Sequence, residues 1–173
     1  MVRSWGVRSG AEARRRALAT ELCAQPAGPA LRALARLGDQ PWTLLVAGDH
    51  HGDLGPQMQA LAQELGIAAR VRFLGLREDM PALMTASDVL LAPSRREALS
   101  LTLLEASACR LPIVATRVGG IGEVVEEGAS GFLVAPDDPP ALAAAIAPLL
   151  ADAALRARCG VRARQRFEAG FLE

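Results

Sequence analysis

The chain has 173 residues, the size of one ordinary domain, and 51% of them are hydrophobic, which excludes an intrinsically disordered or collagen-like protein. Nineteen basic residues, all of them arginine, balance nineteen acidic ones, so no net field attracts nucleic acid or an anionic membrane surface, and we expect a small molecule or another protein as the partner. Three cysteines at wide spacings fit neither a disulfide framework nor a zinc motif, and no apolar run is long enough to span a membrane, so we expect a cytoplasmic protein.

Residues 1–30 form an atypical N-terminal segment that differs in composition from the remainder of the chain. Residues 11–22 are rich in alanine and arginine, which favours a helix, and the proline and glycine residues at 25–29 predict a break. Leu31, Leu34 and Leu37 then predict a helix that packs on a sheet. No convincing strand precedes this helix, so the sheet is expected to lack its middle strand or to borrow one from a partner.

From Trp42 onward, short apolar runs alternate with amphipathic stretches, which is typical of a parallel sheet flanked by helices. Such runs fit buried parallel strands better than exposed antiparallel ribbons. We therefore expect a single α/β domain with a Rossmann-like, doubly wound parallel sheet. The predicted strands are residues 43–47, 71–74, 89–92, 113–116 and 132–134. The predicted helices are residues 56–65, residues 101–109, one that starts at Pro140 after a cap at Asp137 or Asp138, and one that is capped by Asp152 and runs to about Phe167.

Two glutamates stand out in residues 93–116, the most informative part of the sequence. Glu97 lies in the loop after a predicted strand, and Glu105 lies eight positions later in the following helix. In an open parallel sheet this loop is at the carboxyl ends of the strands, where ligands bind. Glu105 has apolar neighbours, so its carboxylate is expected close to a core face unless it points into a cleft. From spacing alone, a solvated Glu97 and a structural Glu105 favoured by the helix dipole explain the pattern better.

Residues 93–116 nevertheless resemble the signature of the nucleotide-sugar glycosyltransferases of the GT-B fold, family 4, whose retaining members carry two glutamates separated by seven residues. Five further blocks are similar to that family in order and spacing, and the resemblance covers residues 31–167. It identifies residues 31–173 as similar to the C-terminal, donor-binding half of such an enzyme. The five blocks are residues 46–49, 71–75, 86–94, 118–123 and 131–137.

The resemblance implies roles for individual residues. Glu97 would face the donor sugar as the catalytic residue, and Glu105 would accept hydrogen bonds from the ribose hydroxyls of the nucleotide. The partner implied is a nucleotide diphosphate sugar, from which the sugar is transferred with retention of configuration, with no cofactor and no obligatory metal. The other donor-binding residues implied are Gly48 and Asp49, the main chain of Leu76 beside the base, the amides of Leu99, Ser100 and Leu101 near the diphosphate, and the turn of Gly119 and Gly120, which suits close approach by a ligand.

The chain departs from the family pattern at several positions. Members carry an arginine and a lysine after the first strand of this domain, where this chain has Glu21 and Ala27. Arg95 and Arg96 are the nearest substitutes, although a solvated loop pair is the better interpretation. Arg110 replaces a glycine, and arginine is a poor residue wherever a positive φ is required. The family also has a central strand before the first helix, where only residues 17–19 lie at a suitable distance, and we predict a helix there from composition.

Family members also have an acceptor-binding domain on the N-terminal side. We expect the isolated 173-residue chain to be inactive in transfer without it, so that a separate acceptor domain or a second copy of the chain would be a further partner. A non-catalytic nucleotide-binding or interaction module derived from such an enzyme is an alternative. A sugar-nucleotide epimerase of the same broad fold is another, which the paired glutamates disfavour.

Three further features have simpler interpretations. His50 and His51, between Asp49 and Asp53, allow a metal site, but adjacent histidines tend to point apart, and a polar loop near the phosphate is favoured. The arginines at 162, 164 and 166 are expected on a solvated helix face. Two of the cysteines are expected to pack in the core, namely Cys109 and Cys159.

Overall fold

The computed structural model of the chain describes residues 16–21, 28–48 and 54–171. Six parallel strands form one sheet in the order β3-β2-β1-β4-β5-β6. The strands are β1 Arg16–Glu21, β2 Trp42–Ala47, β3 Val71–Gly75, β4 Val89–Ala92, β5 Ile113–Thr116 and β6 Gly131–Val134. The helices are α1 Gly28–Ala35, α2 Leu54–Glu64, α3 Met80–Thr85, α4 Leu101–Ala108, α5 Ile121–Val124, α6 Pro139–Ala151 and α7 Ala153–Gly170.

This architecture confirms the doubly wound, Rossmann-like sheet. All five predicted strands are present and parallel, and the four predicted helices from α2 onward lie within a few residues of their predicted bounds. The strand order reverses between β1 and β4, which are neighbours although far apart in sequence. That reversal is the switch point beside which open α/β sheets bind ligands.

The helix predicted over residues 11–22 is wrong where the structure describes it, because Arg16–Glu21 is the central strand β1. It pairs with β2 along its whole length and with β4 through Leu18, Ala19 and Thr20. Leu18 is fully buried, and burial of such a side chain contributes about 1.5–3 kcal/mol, more than the few tenths per residue that separate helix propensities. The sheet therefore has its own middle strand, contrary to expectation. Residues 11–15 and 22 lie outside the described residues.

Asp88 fixes β1 in place from the turn before β4. Its main-chain N–H donates to Ala17 O at 2.7 Å, and its carboxylate Oδ2 accepts from Ala17 N–H at 2.8 Å. The other carboxylate oxygen lies 3.7 Å from Arg156 Nε of α7 and 3.9 Å from the Arg16 guanidinium. One side chain thus joins the start of β1, the start of β4 and the last helix.

Helices cover both faces of the sheet, as alternate strand residues point to opposite sides. On one face, α1, α2 and α6 pack on residues that include Leu18, Leu44 and Val114. On the other, α3, α4 and α5 pack on residues that include Ala19 and Ile113. The sheet is therefore buried between two layers, which explains its continuously apolar strands.

The two last helices have the side-chain caps that the sequence predicts. Asp138 Oδ1 accepts from Ala141 N–H at 2.9 Å at the start of α6. Asp152 Oδ1 accepts from Ala154 N–H at 2.8 Å and from Leu155 N–H at 3.0 Å at the start of α7. The Leu155 N–H bond is the largest of the influences that lower the pKa of Asp152. Among the described residues no single helix could span a membrane; α6 and α7 would be long and apolar enough only as a pair, and they are bent by 106°.

The predictions for the cysteines and for the arginines of α7 have mixed outcomes. Cys159 is in the core as predicted, and burial raises the pKa of its thiol, whereas Cys109 is only half-buried. The solvated face predicted for α7 is wrong in part, because its arginines hold neighbouring elements. Arg162 Nε donates to Glu126 at 2.7 Å, Arg164 donates to Ala108 O at 2.6 Å, and Arg166 Nε donates to Glu123 O at 2.9 Å.

Candidate functional site

The loops after β4 and β5 meet at the carboxyl edge of the sheet. These strands are parallel neighbours whose pairing ends at Ala92 and Ala115. Beyond that pair, the Gly120 N–H donates to Ala98 O at 2.8 Å. The Thr116 hydroxyl donates to Ser94 O, with Ala92 O as a second acceptor at 3.4 Å. The β4 loop that carries Glu97 is therefore held by the connection that follows β5.

The loop after β6 also contacts the segment that follows β4. Arg95 Nε donates to Asp137 Oδ1 at 2.8 Å, and both side chains are more than half exposed. Asp137 has a positive φ of 55° and does not cap α6, which is the role of Asp138. The interpretation of Arg95 as a solvated loop residue therefore missed an ion pair.

The turn of Gly119 and Gly120 must be glycine because of its contact with the Glu97 loop. Gly119 has a φ of +50°, and a Cβ added there would lie 1.5 Å from Glu97 O. A Cβ on Gly120 would lie 2.4 Å from Ala98 O. The close approach seen at this turn is by the protein's own main chain, and the approach by a ligand stays a prediction.

Glu97 and Glu105 have different surroundings at this edge. Glu97 is half-buried, whereas Glu105 is exposed because α4 buries Leu103, Ala106 and Ser107 instead. Of the two placements expected for the Glu105 carboxylate, the one close to a core face is therefore wrong, and the one that points into a cleft stays a prediction. Within the described part of the chain, no hydrogen bond or ion pair holds either carboxylate. Both are available to accept hydrogen bonds from a ligand.

The first turn of α4 faces the same edge without a side-chain cap. Ser100 occupies the N-cap position with extended backbone, but its side chain makes no capping hydrogen bond, and the first turn has no acidic residue. Main-chain N–H groups at a helix start lack partners within the helix, and together with the helix dipole they favour an anion. The predicted residues Leu99, Ser100 and Leu101 thus surround an anion-compatible helix start.

Exposed apolar side chains collect at the same edge. Leu76 follows β3 and is 76% exposed, while Leu99 and Leu101 flank the start of α4 and are 43% and 72% exposed. Only Val161 is comparable among the other described large apolar residues. These side chains are available to contact a ligand or another protein at this edge of the sheet.

Comparison with known proteins agrees with this geometry. A family model for glycosyl transferases, group 1, matches residues 27–152. The chain belongs to the group 1 glycosyltransferases, and its sheet is the Rossmann-like domain of a GT-B fold. A D-inositol 3-phosphate glycosyltransferase from Corynebacterium urealyticum is 41% identical over 124 residues, which are 69% of this chain and 29% of that protein. An N-acetyl-alpha-D-glucosaminyl L-malate synthase from Bacillus anthracis is 39% identical over 125 residues, 70% of this chain and 32% of that protein.

A solved structure matches nearly all of this glycosyltransferase domain. The HepE protein (Alr3699) of Anabaena, crystallised in complex with UDP-glucose, aligns with a TM-score of 0.84 and 28% identity over 93% of this chain and 46% of that protein. The chain thus spans about a third of the length of its curated relatives and about half of this structure.

Other predicted residues of this glycosyltransferase domain are described only in part. Gly48 follows β2 with a φ of 122°, and its N–H donates to Gly75 O at 2.9 Å, which joins the ends of β2 and β3. Asp49 and the rest of the loop to Asp53, including both histidines, lie outside the described residues, as does Ala27. In the described ranges no group of three metal-ligating side chains occurs.

The positive φ that the sequence raised as a question at Arg110 is present, whereas its contact with α7 and a cleft elsewhere in the domain were not predicted. Arg110 has a φ of 58° after α4, and its carbonyl oxygen lies where a Cβ on Gly160 would be 2.1 Å away, so a glycine in α7 accommodates the turn. A cleft of about 320 Å³ opens beside Arg95 and Asp137, between α1, α2 and the start of α6. Its helices pack on the sheet face opposite α4, and no pattern in the sequence indicated it.

Proposed function

We propose that residues 31–173, together with strand β1 at Arg16–Glu21, form the donor-binding domain of a retaining glycosyltransferase. The observation that carries the proposal is the carboxyl edge itself. Two carboxylates without partners in the described structure stand beside an uncapped helix start, next to the switch point of the sheet. A nucleotide diphosphate sugar has hydroxyls for the carboxylates and a diphosphate for the helix start.

In this proposal Glu105 accepts hydrogen bonds from the ribose, and Glu97 faces the sugar as the catalytic residue. The amides of Leu99, Ser100 and Leu101 lie near the diphosphate, and Leu76 edges the base. Gly48 and Asp49 complete the donor side, and the Gly119–Gly120 turn supports the loop that carries Glu97. A uridine diphosphate sugar is the first donor to test, because the HepE structure contains UDP-glucose. No metal is required, and the location is cytoplasmic.

We further propose that the 173-residue chain binds a donor but transfers no sugar by itself. An acceptor surface, from a separate domain or a second copy, is needed to hold the reacting hydroxyl against the sugar. Such positioning contributes up to about 7–11 kcal/mol to the rate. The alternative is a non-catalytic nucleotide-binding or interaction module derived from such an enzyme; as an interaction module it would keep the fold and lack the donor site.

Calorimetric titration with UDP, GDP and ADP tests the donor site. Replacing Glu105 with Gln is expected to cost roughly 1–3 kcal/mol of nucleotide binding, because a charged acceptor becomes neutral. Glu97→Gln should leave binding of a nucleotide without sugar nearly unchanged. Glu64→Gln is a matched control, since Glu64 is an exposed helical glutamate at the far end of α2. Equal affinity in all variants, or no binding by the wild type, would exclude the donor-site assignment and favour the interaction-module alternative.

A further inference from the structure

The segment that carries Glu97 is held at its main chain, on both sides of the glutamate. Thr116 binds Ser94 O, three residues before Glu97, and Gly120 N–H binds Ala98 O, one residue after it. Between these bonds Gly119 lies so close to Glu97 O that a Cβ could not be accommodated. The segment Thr116–Gly120, here called the β5 connection, therefore contacts the main chain of the loop at Ser94, Glu97 and Ala98.

These contacts replace sheet pairing that has already ended. The β4–β5 ladder stops at Ala92 and Ala115, so strand hydrogen bonds no longer guide the chain beyond Ala92. Thr116 remains in the sheet through its pairing with Val134, and its hydroxyl is buried. Thr116, which is paired within the sheet, thus fixes the main chain at Ser94, beyond the end of β4.

The Glu97 side chain has no such support of its own. In the described ranges its carboxylate has no hydrogen-bond or ion-pair partner. Its position depends on the main chain to which it is attached, and that main chain is set by the β5 connection. A group that acts on a substrate must be held within a fraction of an ångström of its working geometry.

We infer that Thr116 and Gly120 are positioning residues that place the Glu97 carboxylate against the donor sugar without contributing to nucleotide binding. This inference rests on the donor site proposed above, and it assigns to the Gly119–Gly120 turn a role through the protein's own loop. Loss of the Thr116 hydroxyl or a methyl group on Gly120 should therefore affect the sugar and spare the nucleotide.

Four variants separate positioning from folding. Thr116→Val keeps the size and β-branching of the side chain but removes the hydroxyl that donates a hydrogen bond to Ser94 O, whereas Thr116→Ser keeps that hydroxyl. Gly120→Ala places a Cβ 2.4 Å from Ala98 O, whereas Gly122→Ala is its matched control, because a Cβ there meets nothing within 4 Å. Circular dichroism and thermal melting establish that each variant is folded before binding is compared.

The test is a double-mutant cycle in which the wild-type chain and the variants are titrated with UDP and with UDP-glucose. Thr116→Val and Gly120→Ala are expected to weaken UDP-glucose binding about fivefold and to change UDP binding less than about twofold. In a Glu97→Gln background the same changes should have almost no effect, because the group they position is already altered. Thr116→Ser and Gly122→Ala should bind both ligands as the wild type does.

Each other outcome has one meaning. Equal loss of UDP and UDP-glucose affinity would show a general structural role for these residues. The same loss of UDP-glucose affinity in the wild-type and Glu97→Gln backgrounds would show the same. Either result would overturn the inference while leaving the donor site intact. Unchanged UDP-glucose affinity in Thr116→Val and Gly120→Ala would also overturn it. Absence of UDP binding by the wild type, or UDP binding that ignores Glu105→Gln, would instead remove the proposed function on which the inference rests.

Discussion

The two edges of the sheet differ in what their charged side chains do. At the amino edge, Asp88 bonds to Ala17 and lies near Arg156, while Arg70 stacks 3.8 Å from the centre of the Trp42 ring and donates to Gly38 O at 3.0 Å. At the carboxyl edge, the main chain is held firmly, but the Glu97 and Glu105 carboxylates have no partner in the described structure. The charged side chains of the amino edge stabilise the fold, and the two glutamates of the carboxyl edge remain available to bind a ligand.

This difference indicates where substitutions should affect stability and where they should affect binding. A buried polar group that loses its partner costs free energy of folding. An unpartnered carboxylate at a ligand edge costs little when it is replaced, since it holds nothing in the free protein. The predictions below test this division, beginning with the largest expected effect.

Asp88→Ala should cause the largest loss of stability, roughly 2 kcal/mol in the free energy of unfolding. It leaves the Ala17 N–H without its side-chain acceptor and the nearly buried Arg156 without its counter-charge. Urea denaturation measures the change. Asp88→Asn is the control, because it keeps an acceptor for Ala17 and loses only the charge, and it should retain part of the stability. A change below about 0.5 kcal/mol in Asp88→Ala would break the comparison at the amino edge.

Arg70→Ala should cost about 1–2 kcal/mol of unfolding free energy. The guanidinium donates to Gly38 O and Gln40 O and covers the Trp42 ring, so it closes the turn before β2. Arg72→Ala, two residues on at an exposed position of β3, is the matched control and should be nearly neutral. Equal effects of the two substitutions in urea denaturation would show that the stacked geometry contributes nothing.

The cap of α7 predicts a dependence of stability on pH. The pKa of Asp152 is lowered in the folded chain, chiefly by the Leu155 N–H bond. A lowered pKa contributes stability that is complete above the unfolded value and is lost as the pH falls through the folded one, hence below about pH 4. The melting temperature of the wild type should therefore fall more steeply between about pH 5 and pH 2 than that of Asp152→Asn, which keeps a capping oxygen without a titrating charge. Parallel curves would contradict this origin of the shift.

The smallest expected effect is a difference in the rate at which two cysteine thiols are alkylated. Cys159 is buried, with its thiol pKa raised by burial, whereas Cys109 at the end of α4 is half-buried. Alkylation with N-ethylmaleimide at neutral pH, followed by mass spectrometry of the separate peptides, should label Cys109 well before Cys159. Similar rates at both positions would mean that the packing of α7 opens readily.

Most of the sheet could be predicted because β2 to β6 are short apolar runs, and such runs can be recognised as strands without knowing which strands lie beside them. β1 could not, because Arg16–Glu21 is rich in helix formers and becomes a strand only through β2, β4 and Asp88, which is 71 residues away from Ala17. Residues and loops that approach only in three dimensions were missed for the same reason. The Arg95–Asp137 pair and the Thr116 hydroxyl bond depend on the path of the loops, which no local pattern encodes.

The sequence predicted where in the fold the candidate site lies, but not how its side chains are arranged. Parallel strands bring the Glu97 loop and the Gly119–Gly120 turn to one edge, as expected. The exposure of Glu105 was predicted wrongly, because apolar neighbours in sequence do not lie on the same side of a helix. Its true position follows from the burial of Leu103, Ala106 and Ser107, which only the packing of α4 decides.

The central claim is that the carboxyl edge binds the nucleotide and the amino edge does not. The most direct test is a set of ¹H–¹⁵N spectra of the labelled 173-residue chain recorded during titration with UDP. We expect shifts to concentrate at the amides of Leu76, of the segment 97–103 and of Gly120, while those of Ala17, Asp88 and Arg156 stay in place. Shifts centred on the amino edge would contradict the account, as would spectra that do not change at all.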